Sequence, residues 1–115
     1  MKMRIGYISN SSSTSFIIRS ISDKHKTLVD FVKENPELIE EFVDYYDWYK
    51  NDERFTQEKL IESAEKNNIS FEPYESKECI FGDEDGTLIG CVFDYMLRDG
   101  GRSESFSWYL HEMLR

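Results

Sequence analysis

A chain of 115 residues is long enough for one domain with a real core and too short for two. Its 39% hydrophobic and 15% aromatic content supplies that core and excludes a disordered chain, although 32% of residues are charged. The formal net charge of −9 is unevenly spread: residues 1–33 carry six Lys or Arg against two acids, residues 34–85 five against seventeen, and residues 86–115 three against four. An acidic middle repels phosphate backbones, so direct nucleic-acid binding is not expected.

The first segment, "MRIGYI", reads as a strand and "SFIIRSI" as a second, joined into an N-terminal β-hairpin by "SNSSSTS". Asn and Ser favour turns by hydrogen-bonding their own backbone, and without glycine the loop is expected to be wide. Ser22 or Asp23 is then expected to cap a helix over residues 24–34, with Leu28, Phe31 and Val32 on its inner face. Asn35-Pro36 ends it and opens the next helix, Asn35 as cap and Pro36 in the first helical position. In this second helix, "PELIEEFVDYYDWYK", Leu38, Phe42, Tyr45, Tyr46 and Tyr49 form one stripe with Ile39 at its edge.

Thr56 is the expected cap of a third helix reaching Lys66, with Phe55 and Leu60 as a hydrophobic staple. "NNISFEPY" contains Pro73 and suits an edge strand, and "ECIF" reads as another short strand. "TLIGCVFDYMLR" is apolar nearly all round and is expected to be a central helix, with Asp94 and Arg98 at i,i+4 and "DGG" as its stop; a hairpin turning at "DEDG" competes with that reading. "SESFSWYLHEMLR" fits a helix through Phe106, Leu110, Met113 and Leu114, or a strand through Phe106 and Trp108, and helix is the expectation. The sum is an α+β fold, a single domain over residues 1–115, with a small antiparallel sheet packed against three to five helices.

Chemistry-bearing motifs are few. Asp83-x-Asp85-Gly86-Thr87-Leu88 resembles the nucleophile motif of haloacid-dehalogenase-type phosphatases, in which the first Asp attacks phosphorus and the second is the acid/base beside Mg²⁺. Glu84 stands where that family has an apolar residue, and only 28 residues follow Thr87, too few for the rest of its sheet. As a calcium loop the stretch has Thr87 in the fifth position and no glycine in the sixth, so an acidic turn before a helix is the simpler reading. Asp83 and Asp85 stay as candidate metal ligands in the alternative reading only.

Ser9, Asn10, Ser11, Ser12, Ser13 and Thr14 form a hydroxyl-rich run similar to the phosphosugar loop of sugar-isomerase domains, with Ser12 where those have glycine. The run is read first as a hairpin loop and only alternatively as an anion site. From Gly6 to Phe16, "GYISNSSSTSF" resembles the opening of a set of small uncharacterised proteins of tailed bacteriophages and bacteria. The resemblance implies a phage or prophage origin and carries no activity or catalytic residues.

No secretory signal is visible in "MKMRIGYISN", and no apolar stretch is long enough to span a membrane, so a soluble cytoplasmic protein is expected. Cys79 and Cys91 lack a CxxC partner and are expected to be free thiols, and His25 and His111 lie in no ligand-spaced cluster, so no metal or other cofactor is expected. The remaining handle is electrostatic. Glu37, Glu40, Glu41, Asp44 and Asp47 fall within about 120° of helix surface opposite the aromatic stripe, with no lysine before Lys50. Like charges at such spacings cost a few tenths of a kcal/mol each, so helix stability alone does not account for the pattern. The expectation is a non-enzymatic interaction protein, phage-encoded, whose acidic helix face meets a basic host protein that handles nucleic acid or acts in defence. Trp48 and Trp108 are candidate contact residues, and a homodimer is left open. The alternative is a small hydrolase using Asp83, Asp85 and the serine run.

Overall fold

The sheet is organised around one strand. In a computed structural model that describes residues 13–46, 52–82 and 87–114, β1 (Ser13–Ser20) pairs antiparallel with β4 (Ser76–Gly82) on one edge and β6 (Phe106–Leu114) on the other. β5 (Gly101–Arg102) pairs with β6, giving the order β4-β1-β6-β5. Strand alternation sends Thr14, Phe16, Ile18 and Ser20 to the inner face, where all four are buried. The register shifts between Ser15, opposite Glu112, and Phe16, opposite Leu110, so His111 is the extra residue of a bulge. β2 (Lys26–Thr27) and β3 (Ser70–Phe71) form a separate two-stranded pair. "MRIGYI", the first arm of the expected hairpin, lies outside the described residues.

Among the described residues four helices pack together with the sheet, which makes the fold α+β as the pattern predicted. α1 (Leu28–Glu34) begins later than expected. Thr27, not Ser22 or Asp23, is its cap, because Thr27 and Asp30 form a reciprocal capping box while Lys26–Thr27 is held in the β2–β3 pair. Asn35 closes α1 rather than capping the next helix: its side-chain amide donates to the Phe31 carbonyl at 2.9 Å. α2 (Glu37–Tyr45) therefore starts behind Pro36 without a side-chain cap. α3 (Gln57–Asn67) has the expected Thr56 cap, which accepts from the Lys59 N–H, and ends at Asn68 in the left-handed conformation, φ 58°. α4 (Leu88–Met96) is the expected central helix, capped by Thr87 and burying Ile89, Val92, Phe93 and Asp94.

Residues 103–114 contradict the helix expectation, since Phe106–Leu114 is strand β6. A helix here would have turned Trp108 away from Phe106 and left the second edge of β1 open. As a strand, Phe106 and Trp108 share the inner face, and the aromatic side chains suit a pleated, half-buried surface. Both rings meet Phe31 of α1 edge-on, at 5.3 and 5.0 Å between centroids, and Phe93 of α4 meets it at 5.4 Å. That four-ring contact joins α1, α4 and β6 into one core. Gly101 lies flat on the indole: a Cβ there would stand 2.5 Å from Cζ2 of Trp108. The β5–β6 turn is tied to the end of α1, because a Glu34 carboxylate oxygen accepts from the Ser103 hydroxyl and the Ser105 N–H, both at 2.9 Å.

Candidate functional site

α2 is positioned by its apolar side. Leu38, Ile39 and Phe42 are buried, and Phe42 stacks on Phe55 at 5.6 Å while meeting Tyr46 at 5.0 Å and Tyr95 of α4 at 6.4 Å. This rotation turns Glu37, Glu40, Glu41 and Asp44 to solvent. Among the described residues no lysine or arginine lies within ion-pair distance of Glu37, Glu40 or Glu41; the ion pairs present join Arg54 to Asp52, Lys59 to Glu62 and Arg98 to Asp94. The last turn of α2 holds no basic residue either, so nothing on the helix itself offsets the charge of its carbonyl end.

Tyr45 departs from the expectation. It was to share the core stripe, yet it is 79% exposed. On the helical wheel it stands about 60° from Phe42 and about 40° from Glu41, and Tyr46 on the other flank takes the place against Phe42 and Tyr95. Tyr45 rests edge-on against Tyr46, at 4.8 Å and 70°. It therefore continues the row Glu37, Glu41, Tyr45, in which each residue is four positions from the last and projects from the same side. The surface thus offers two carboxylates in line with an exposed phenol ring, and Glu40 and Asp44 in the neighbouring row. Carboxylates accept paired hydrogen bonds from guanidinium groups, and an exposed ring adds its face to such a cation.

A second polar grouping lies beneath α4. The fully buried Asp94 accepts from the Thr14 hydroxyl at 2.5 Å and from Nη2 of Arg98 at 3.1 Å, both at Oδ1. Arg98 also donates from Nε to the Asp94 carbonyl at 2.6 Å and lies over the Tyr95 ring at 4.8 Å. Among the described residues Oδ2 has no hydrogen-bond partner. The side-chain hydrogen bonds of Asp94 among the described residues run to a hydroxyl and a guanidinium. The grouping ties α4 to β1.

The sequence candidates are scattered differently from the expectation. Ser13 and Thr14 belong to β1 and not to a loop, and the Thr14 hydroxyl is committed to a carboxylate, which opposes an anion at that point. Trp108, expected on an open helix face, is 7% exposed and belongs to the core, so it is not a contact residue. Ser9, Asn10, Ser11, Ser12, Asp47, Trp48, Asp83 and Asp85 lie outside the described residues. His25 and His111 are exposed, and no group of three or more His, Cys, Asp or Glu among the described residues is placed to hold a metal ion. Burial pushes the Cys79 thiol up to about 12, which leaves it protonated and a poor nucleophile. Asp52, which accepts from the side chain and backbone N–H of Arg54, is held down at about 2.

No family model, curated protein or solved structure matches this chain. Among the described residues no helix is long and apolar enough to cross a membrane.

Proposed function

We propose that this protein is a non-enzymatic interaction module that docks the acidic face of α2 onto a basic surface of a protein partner. One observation carries the reading: Glu37, Glu40 and Glu41 stand exposed with no cation of their own chain against them among the described residues. Solvated carboxylates of this density repel one another, and a cationic partner relieves that repulsion while it steers association. Tyr45 at the end of the row supplies an aromatic contact of the kind that anchors interfaces. The resemblance of the "GYISNSSSTSF" opening to small phage proteins supports reading the partner as a nucleic-acid-handling or defence factor of a bacterial host.

The test is capture from a bacterial lysate by the immobilised full chain, compared with the variant Glu37→Lys, Glu40→Lys, Glu41→Lys. The proteins retained by the parent are identified by mass spectrometry, and their retention should fall at least tenfold with the variant and weaken with salt. Because these three side chains face solvent, the variant should unfold at nearly the same urea concentration as the parent. Equal retention by the folded variant would remove the acidic face from recognition.

A further inference from the structure

The sheet covers only its inner face with helices. On the outer face the register sets Glu78, Ile17 and Tyr109 in one row and Ser76, Arg19 and Ser107 in the next; the row on the other side holds Ile80, Ser15 and Glu112, and of these Ser15 is buried. Ile80 is 51% and Tyr109 57% exposed. Arg19 and Glu78 are also exposed; Glu78 accepts from the Ser15 hydroxyl, while Arg19 has no ion pair among the described residues. An exposed arginine near the end of a central strand, flanked across the sheet by serines and without an ion pair among the described residues, is poorly used within one chain.

We infer that this face pairs with the same face of a second copy, the two β1 strands antiparallel about a two-fold axis that crosses between the Ile17 and Arg19 rows. The charges choose this register. An axis through the Ile17 row would lay Glu78 on the partner's Glu78, and an axis along β1 would lay Arg19 on the partner's Arg19. The axis between the rows brings Arg19 over the row that holds the partner's Glu78 and the partner's Tyr109, where a guanidinium finds both a carboxylate and a ring face. Symmetry makes that contact twice, around Ile17 of each copy. Three strands about 4.8 Å apart and about 20 Å of strand length give roughly 300 Å² per copy, below the area of a permanent dimer. The dimer is therefore weak and forms only at high protein concentration. The helical layer, α2 included, points outward in both copies, so this contact does not compete with the acidic face.

Sedimentation equilibrium of the full chain from about 10 µM to about 1 mM tests it, a range that reaches weak association. Mass should rise from monomer towards dimer. Arg19→Glu and Glu78→Arg should each stay monomeric, since each sets like charges against each other at both contacts, and an equimolar mixture should recover association because opposite charges then meet at both. A monomer throughout the range would overturn the inference, as would Arg19→Glu associating like the parent. A monomer whose Tyr109 is shielded from tyrosine-modifying reagents would also overturn it, by showing that the chain covers this face itself.

Discussion

Replacing Phe31 with alanine removes the ring that three others meet edge-on, and the cost follows from the geometry. Phe31 is fully buried, and its partners Phe93, Phe106 and Trp108 stand at 5.4, 5.3 and 5.0 Å, near perpendicular. Truncating a buried Phe costs about 3–5 kcal/mol from lost transfer energy and the cavity left behind. The partners belong to different elements that cannot all close inward, and α1 is only seven residues long, so we expect the upper end, about 4–5 kcal/mol. A domain of this kind has about 5–15 kcal/mol in total, so the variant sits near the edge of folding. Phe31→Leu separates volume from ring contact. It keeps most of the volume and loses three aromatic contacts worth about 0.5–1.5 kcal/mol each, for an expected cost of about 2 kcal/mol. Urea unfolding in a Trp48→Phe background, where Trp108 is the remaining fluorophore, reads both: the midpoint should fall with an unchanged slope. A Phe31→Ala cost below about 1.5 kcal/mol would refute the four-ring core, and a Phe31→Leu variant as stable as the parent would refute the edge-on contribution.

Asp94→Ala leaves the Thr14 hydroxyl without its acceptor and Arg98 without its carboxylate, and should cost about 3 kcal/mol, the low end for a broken buried pair because Arg98 still reaches water. A double-mutant cycle with Thr14→Val should show coupling of about 1 kcal/mol or more, and additive effects would mean that the contact does not form. Cys79 should resist iodoacetamide at pH 8 in the folded protein and react only on unfolding. Its raised folded pKa of about 12 means that the protonated thiol is favoured by folding. That contribution is fully present below the unperturbed thiol value of 9.0 and is lost as pH climbs from there towards about 12, so Cys79→Ala should flatten the fall in urea midpoint over that window. An unchanged alkaline slope in the variant would count against the buried thiol.

What was legible in the sequence was local. Thr56 sits one residue before the helix that its hydroxyl caps, and the acidic side of α2 follows from a 100° step per residue. Tyr45 was misplaced because it stands on the boundary of two faces, where the competing ring of Tyr46 decides which is buried. β6 was misread because its residues satisfy a helical and a two-residue period at once, and only the open edge of a strand ninety residues earlier resolves the tie. The Thr14–Asp94 contact spans eighty residues and leaves no trace in either neighbourhood. Long-range pairing, rather than propensity, fixed what the local pattern left open.

β1 has to wait for both of its neighbours. β4 begins more than fifty residues downstream of it and β6 more than eighty, so loop closure must precede any ladder on either edge. Until then "STSFIIRS" is an isoleucine-bearing segment with two open rows of backbone donors and acceptors, the kind of template that recruits other chains. Recovery from denaturant is thus a race between intramolecular closure and encounters with neighbours. Dilution favours the first, and crowding at high expression favours the second.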